Sequence, residues 1–132
     1  MYTMMQVCRE LDMTYQTLKF YCNEGLVPNV KRDHNNRRVF DEKDVKWIKD
    51  LTCLKKCGMS IQEMKKYLEL CLQGEATIVS RKKMLARKQE ELRASIKELE
   101  DSISYIGWKQ NFYDEVLSGK RPYESNLIRV EK

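Results

Sequence analysis

The hydrophobic positions at the start of the chain repeat with the 3.6-residue period of two short helices. The first pattern follows Thr3, a residue suited to cap a helix. Its apolar side chains are Met4, Val7, Cys8 and Leu11. The second pattern covers residues 14–24, buries Leu18 and Tyr21, and stops at Gly25, which suits the left-handed position after a helix. Since only a short turn separates the two patterns, they predict a helix-turn-helix.

Two short segments that can pair as strands come next, at residues 30–32 and 38–40. Between them lies an Asp-His-Asn-Asn sequence, whose asparagines tolerate the backbone angles of a tight turn. The segments are therefore expected to pair as a β-hairpin, which we call the wing (residues 30–40). The wing has four basic side chains and one acidic side chain, Asp33.

Two further helices are predicted from their capping sequences. Asp41 with Asp44, and Ser60 with Glu63, have the three-residue spacing of a capping box. Apolar positions at helical spacing follow each pair until the next glycine. Trp47, in the first of these helices, is expected to pack in the core.

A seven-residue apolar repeat extends from about residue 75 to residue 117, a stretch with no proline and one glycine. This repeat is typical of a coiled coil, in which an apolar seam faces a partner helix. A basic run precedes an acidic run, so an antiparallel partner would bring opposite charges together. The alternative is a helix folded back on its own head, because a lone helix of this length must bury its apolar stripe. The residues predicted to form the dimer are Ile78, Leu85, Leu92, Ile96, Leu99, Ile103 and Ile106.

These elements predict a mainly α-helical protein with a winged helix-turn-helix head, a small β-hairpin wing and a long C-terminal coiled-coil dimerisation helix. We place the head at residues 1–74, the dimerisation helix at 75–117 and a tail at 118–132. A chain of 132 residues, 34% of them charged, can build one small head but no second globular core.

The charge of the head points to an anionic partner. Residues 1–74 carry 13 basic and 10 acidic side chains, so the surplus of three equals that of the wing alone. A helix that offers hydroxyls, an amide and a cation suits the major groove of duplex DNA, and a basic hairpin suits the phosphates. The predicted DNA-binding residues are Thr14, Tyr15, Gln16, Thr17, Lys19, Phe20, Tyr21, Lys31, Arg32, Arg37 and Arg38.

Composition excludes several other classes. The net charge of +5 is compatible with a nucleic-acid partner. No apolar run approaches a membrane span and no signal-peptide core is present, so we expect a cytoplasmic protein with no membrane partner. Five cysteines, an odd number, favour reduced thiols. A single histidine, no glycine-rich phosphate loop and no clustered carboxylates argue against an enzyme, and no cofactor or metal site is predicted.

Several short sequences in the head occur in a characteristic order and spacing. They are Tyr2-Thr3, Thr17-Leu18-Lys19-Phe20-Tyr21, Glu24-Gly25-Leu26-Val27-Pro28, Asn36-Arg37-Arg38-Val39-Phe40, Asp44-Val45 and Gly58-Met59-Ser60-Ile61. With these sequences the chain resembles the MerR family of bacterial transcription regulators over roughly residues 2–117. That family usually has arginine at the position of Lys19 and an acid at that of Cys22.

The resemblance implies a homodimer that is held by an antiparallel coiled coil and bound to a two-fold promoter site. In such promoters the two elements lie too far apart for RNA polymerase. The dimer would activate transcription by bending and untwisting the DNA, so it would act on the polymerase indirectly, through the promoter. The alternative is an effector-independent DNA-bending accessory factor of a phage or mobile element with the same head.

The resemblance also bears on the thiols. Metal-sensing members carry cysteines beyond the dimer helix, whereas this chain has none after Cys71, which argues against metal sensing in that form. The chain is more similar to the short branch of aldehyde-responsive and thiol-based regulators, in which a cysteine stands where Cys53 does. Lys49 and Lys56 lie about one turn away and would favour a thiolate, while Cys57 is expected to be a resolving or buried thiol. The alternative is that all five cysteines fill the core.

Overall fold

A computed structural model describes residues 1–131, in which helices dominate and a small sheet has three strands. This confirms the predicted fold of a winged helical head with a long C-terminal helix. The elements in chain order are β1 (Tyr2–Thr3), α1 (Met4–Leu11), α2 (Tyr15–Asn23), β2 (Lys31–Arg32), β3 (Arg38–Phe40), α3 (Glu42–Lys56), α4 (Ile61–Leu72), a 3-10 turn (Gly74–Thr77) and α5 (Ile78–Leu117).

The helices of the head begin at capping residues. Thr3, Thr14, Asp41 and Ser60 each accept a hydrogen bond from a backbone N–H in the first turn, and all but Thr14 take part in a reciprocal capping box. Gly25 follows α2 with φ 76°, a left-handed angle that an L side chain rarely adopts. The predicted boundaries of these helices are therefore confirmed.

The sheet joins the wing to the N-terminus of the chain. Its strand order is β1-β3-β2, and both pairings are antiparallel, with Tyr2 opposite Phe40 and Lys31 opposite Val39. The hairpin confirms the predicted wing. Strand β1 was not predicted, because two residues are too short for an alternating pattern. It places the start of α1 beside the wing.

The core of the head lies where α1, α2, α3 and α4 meet beneath β3. The largest fully buried side chains are Phe40, Leu18, Leu26, Ile48, Leu51, Met59, Met64 and Val7. Trp47 packs at the edge of this core, and its indole N–H donates to the Leu26 carbonyl at 2.7 Å. Its ring stacks on that of Tyr67, with centroids 6.4 Å apart. The predicted core position of Trp47 is thus confirmed, with its polar end satisfied.

The chain divides into two compact units, Met1–Gln89 and Glu90–Lys132. The first unit extends beyond residue 74 because the start of α5 packs with the head. Met84 lies against the core, and the Lys88 ammonium is 3.2 Å from the Glu63 carboxylate. Helix α5 has 40 residues, yet neither it nor any other helix within residues 1–131 is apolar enough to cross a bilayer.

The second unit carries an aromatic stripe on α5, formed by Tyr105, Trp108 and Phe112. Their rings stack in sequence at 6.4 Å and 6.1 Å. At 100° per residue, this stripe lies on the side of α5 opposite the apolar seam. The helix ends before Gly119, which has φ 82°, and the Arg121 guanidinium lies over the Phe112 ring at 5.2 Å. Of the predicted tail, residue 132 falls outside the described residues.

Candidate nucleic-acid interface

Helix α2 presents a polar and aromatic surface at its N-terminal end. The Thr14 hydroxyl accepts from the Thr17 amide at 3.1 Å and donates to the Thr17 hydroxyl at 2.9 Å, and Thr17 is half-buried. The other predicted DNA-facing residues on this helix are exposed. They are Tyr15, Gln16, Lys19 and Phe20, together with Thr14 itself.

Tyr21 does not lie with them. Its side chain is only 3% exposed and belongs to the core, and burial raises the pKa of its phenol. The helical spacing of apolar residues in the sequence also predicts that Tyr21 is buried, and this prediction is confirmed. Tyr21 is therefore a core residue, and its inclusion among the DNA-facing residues is corrected.

The turn of the wing is built around Asp33. Its carboxylate accepts from the backbone amides of Asn35 at 2.9 Å and Arg37 at 3.0 Å. The hydrogen bond from Arg37 is the main reason that the pKa of Asp33 is lowered. Asn36 takes the left-handed angle that the turn requires, with φ 60°. Asp33 thus stabilises the shape of the turn, while Arg37 remains exposed at the tip of the wing.

Lys31, which is predicted to contact phosphates, forms ion pairs at the surface of the head. Its ammonium lies 2.9 Å from the Asp41 carboxylate and 3.0 Å from that of Asp44, which is 5% exposed. Hydrogen bonding to these carboxylates raises the pKa of Lys31, and the hydrogen bond from Lys31 lowers that of Asp41. Lys31 therefore links strand β2 of the wing to the N-terminal end of α3. Because two carboxylates already compensate its charge, we expect Lys31 to contribute less to phosphate binding than the arginines of the wing.

The remaining basic residues of the wing are three arginines. The Arg38 guanidinium donates to the side-chain oxygen of Asn23, the last residue of α2, at 2.8 Å. Arg32 donates to the backbone carbonyl of Asn36 at 2.9 Å. Neither partner carries a charge, so both arginines keep their positive charge available for an anion.

A cleft of about 440 Å³ separates the wing from the N-terminal ends of α1 and α2. Sequence reasoning identified the residues on the wing side of this cleft but not those of α1, because only the β1–β3 pairing brings α1 here. The cleft is lined by Thr3, Met4, Met5, Tyr15, Arg32, Asp33, Asn36, Arg37, Arg38 and Val39.

The thiols occupy different environments. Cys8 is buried, whereas Cys53, on α3, is exposed, so the expectation that all five cysteines fill the core is not met. Cys57 is half-buried at the C-cap of α3, and its amide donates to the Cys53 carbonyl. Sequence reasoning did not single out Cys71, whose sulfur lies 3.9 Å from the Arg81 guanidinium. No group of three or more His, Cys, Asp or Glu side chains within residues 1–131 is arranged to hold a metal ion.

The seam residues of α5 are exposed in the single chain. The side chains of Ile78, Leu85, Leu92, Ile96, Leu99, Ile103 and Ile106 are between 38% and 69% exposed. An apolar row of this length on one helix is the surface expected to pack against a partner helix.

Two family models match the chain. One, described as MerR HTH family regulatory protein, matches residues 2–71, and the other, described as MerR, DNA binding, matches residues 45–106. The first spans the winged head, and the second runs from α3 into α5.

Known proteins are similar over most of the chain. An uncharacterized HTH-type transcriptional regulator of Haemophilus influenzae is 34% identical over 112 residues, covering 85% of this chain and 83% of its own length. The HTH-type transcriptional regulator AdhR of Bacillus subtilis is 37% identical over 87 residues, covering 66% of this chain and 62% of its own length.

Solved structures share the fold. HiNmlR, described as a MerR family regulator that lacks the sensor domain and is bound to promoter DNA, superposes with a TM-score of 0.72 at 32% identity, over 89% of this chain and 93% of that one. A putative MerR family regulator from Listeria monocytogenes gives a TM-score of 0.77 over 91% of both chains, and at 24% identity it supports the fold alone. The matches to the winged head and the long helix together show that this chain belongs to the MerR family and is a DNA-binding transcriptional regulator, not an enzyme.

Proposed function

We propose that the protein acts as a homodimer that binds a two-fold promoter site and activates transcription by distorting the DNA between the promoter elements. The exposed seam of α5 carries the proposal, because the folded head leaves this row of apolar side chains uncovered. A second copy would cover the row and set two heads at a fixed separation. Each head would then insert α2 into a major groove and lay its wing along the adjacent phosphates.

The relative HiNmlR, bound to promoter DNA, supports promoter DNA as the ligand. Distortion would follow from rigid geometry: two heads fixed by one coiled coil fit only DNA whose grooves are brought to their spacing. Bending and untwisting cost free energy that depends on the sequence being deformed, and protein–DNA contacts offset that cost.

Transcription in vitro from promoters whose spacers differ by single base pairs tests this mechanism. We expect the protein to stimulate a promoter with a lengthened spacer and to repress or ignore one with the spacer preferred by polymerase, while binding both. Equal stimulation of every spacer would contradict distortion. Footprints that show DNA binding, together with transcription that does not depend on spacer length, would favour the accessory DNA-bending factor. The relatives that are named as transcriptional regulators favour the regulator.

We further propose that Cys53 controls this activity through its thiol. It is exposed on α3, and Lys49 and Lys56 are one helical turn before and after it. An aldehyde would react by addition: the sulfur of Cys53 bonds to the carbonyl carbon, the thiol proton passes to the carbonyl oxygen, and a hemithioacetal forms. Added bulk at this end of α3 would act where α3 is joined to α4.

Mass-spectrometric rates of alkylation in the folded protein, measured for each cysteine, test this proposal. We expect Cys53 to react fastest, Cys8 slowest, and Cys53→Ser to keep operator affinity but lose aldehyde-dependent promoter output. Cys71→Ser serves as the matched control, since that thiol also lies beside a cation. Normal induction in Cys53→Ser, or loss of induction only in Cys71→Ser, would end the role of Cys53. A weaker response in Cys57→Ser would indicate a disulfide or shared adduct between the two.

A further inference from the structure

Two arginines of the wing stand directly opposite each other in the sheet. Arg32 on β2 and Arg38 on β3 are register partners, so their side chains leave the same face of the hairpin. Like charges directly opposite in a β-ladder are destabilising. An anion between the two guanidinium groups would convert this repulsion into attraction, and both residues are among those that line the cleft beside α1 and α2.

Each arginine is held in place by an uncharged acceptor. The Asn36 carbonyl accepts from Arg32, and the Asn23 side-chain oxygen accepts from Arg38. A carboxylate in either position would have fixed the arginine equally well but would have neutralised it. Lys31 illustrates the contrast, because Asp41 and Asp44 already compensate its charge.

We propose that Arg32 and Arg38 together bind one backbone phosphate of the DNA, and that Asn23 is the positioning residue for this site. The proposal deepens the proposed function and rests on the binding of duplex DNA by α2 and the wing. A guanidinium presents several N–H donors in a planar fork, so each arginine can bind its uncharged acceptor and a phosphate oxygen together.

Asn23 also links the two parts of the head that meet DNA. It is the last residue of α2 and lies on the same helical stripe as Tyr15 and Lys19, at four-residue spacing. Its hydrogen bond to Arg38 therefore sets the wing relative to the helix that reads bases. Loss of this bond should leave the head folded, because Asn23 is exposed and outside the core.

Binding to duplexes with single methylphosphonate substitutions tests the shared phosphate, since a methylphosphonate removes the charge of one phosphate group. In the unaltered protein, one position on each half-site should weaken binding by about tenfold or more. The same methylphosphonate should have little further effect on binding by the Arg32→Ala/Arg38→Ala variant. In Arg32→Ala and in Arg38→Ala, the methylphosphonate effect should be reduced at that same phosphate. Responses at two different phosphates for the two arginines would overturn the shared site.

Three variants test the role of Asn23. Asn23→Ala should weaken binding and reduce the methylphosphonate effect, with an unchanged unfolding midpoint. Asn23→Asp keeps an acceptor for Arg38 but compensates its charge, so the slope of log K against log salt should fall by about one unit. Asn35→Ala, an exposed position in the turn of the wing, is the matched control and should change neither quantity.

The outcomes separate this site from the function on which it rests. If the unaltered protein fails to bind duplex DNA at all, the proposed function is wrong. If it binds DNA with normal salt dependence but Asn23→Ala and Asn23→Asp behave like Asn35→Ala, the function stands and the positioning role of Asn23 is refuted.

Discussion

At the scale of single residues, Lys31 and Arg38 show that neighbouring basic side chains on one hairpin can have different tasks. Lys31 is compensated by two carboxylates, whereas Arg38 is held by an amide. Their sequence positions do not reveal this difference, because it depends on which element lies beneath each strand. Phosphate contacts are therefore expected from Arg32, Arg37 and Arg38.

Lys31→Ala should lower the free energy of unfolding without changing the salt dependence of DNA binding. The variant leaves Asp44, a buried carboxylate, without its cation, which is unfavourable in a low-dielectric surrounding. Urea unfolding and binding titrations at several salt concentrations measure the two effects. If the salt dependence of DNA binding is weaker in Lys31→Ala than in the unaltered protein, Lys31 does contact a phosphate.

The same ion pair predicts a pH dependence. The pKa of Asp41 is lowered in the folded protein, first by its hydrogen bond from Lys31. Its contribution to stability is therefore complete above the unfolded pKa, about 3.9, and is lost as the pH falls through the lower folded pKa. Urea unfolding across this acid range should show a weaker dependence on pH in Asp41→Asn. The pKa of Lys31 is raised in the folded protein, so its contribution to stability is complete at lower pH. That contribution is lost in alkaline solution, as the pH rises above the unfolded pKa of about 10.4 and through the higher folded pKa.

Gln16→Ala should relax sequence preference instead of lowering affinity for all DNA. Gln16 is exposed at the N-terminal end of α2, where a side-chain amide can bond to a base edge. A bidentate contact of this kind is worth about 1–3 kcal/mol at one base pair. Competition between operator variants that differ at single positions measures this loss, and equal weakening for every variant would assign Gln16 to the backbone instead.

At the scale of secondary-structure elements, the sequence predicts most of the head because its signals are local. The capping pairs at Asp41 and Ser60, and Gly25 after α2, act within one turn of helix. Strand β1 and the Asn23–Arg38 hydrogen bond join residues that are far apart along the chain, so no local pattern reports them. The burial of Tyr21, in contrast, follows from the local helical spacing, and its ring is buried in the structure.

Helix α5 should lose its partner when charges are placed in the seam. Leu92→Asp with Leu99→Asp is expected to give monomers that no longer bind the operator at concentrations that saturate the unaltered protein, because a seam cannot bury unpaired carboxylates. Sedimentation velocity measures the assembly state. Ala94→Asp with Ser104→Asp adds the same charge away from the seam and should remain dimeric. An intact dimer in the Leu92/Leu99 variant would contradict the seam.

At the scale of the whole molecule, the direction of the partner helix decides where the two heads stand. An antiparallel dimer centred near residue 92 brings residue 85 of one protomer beside residue 99 of the other. In a Cys53→Ser background, Leu85→Cys mixed with Leu99→Cys should therefore form a disulfide-linked heterodimer under mild oxidation. Disulfides within each single variant, and none between them, would instead require a parallel arrangement.

The two tryptophans fall one in each compact unit. Trp47 packs at the edge of the head core, and Trp108 is 59% exposed on α5, on the side away from the seam. The protein therefore carries a natural pair of optical probes with contrasting surroundings. Trp47→Phe isolates the fluorescence of the long helix, and Trp108→Phe isolates that of the head. Equilibrium unfolding followed in these two variants can resolve whether the head melts before, after or together with the helix, with no added label.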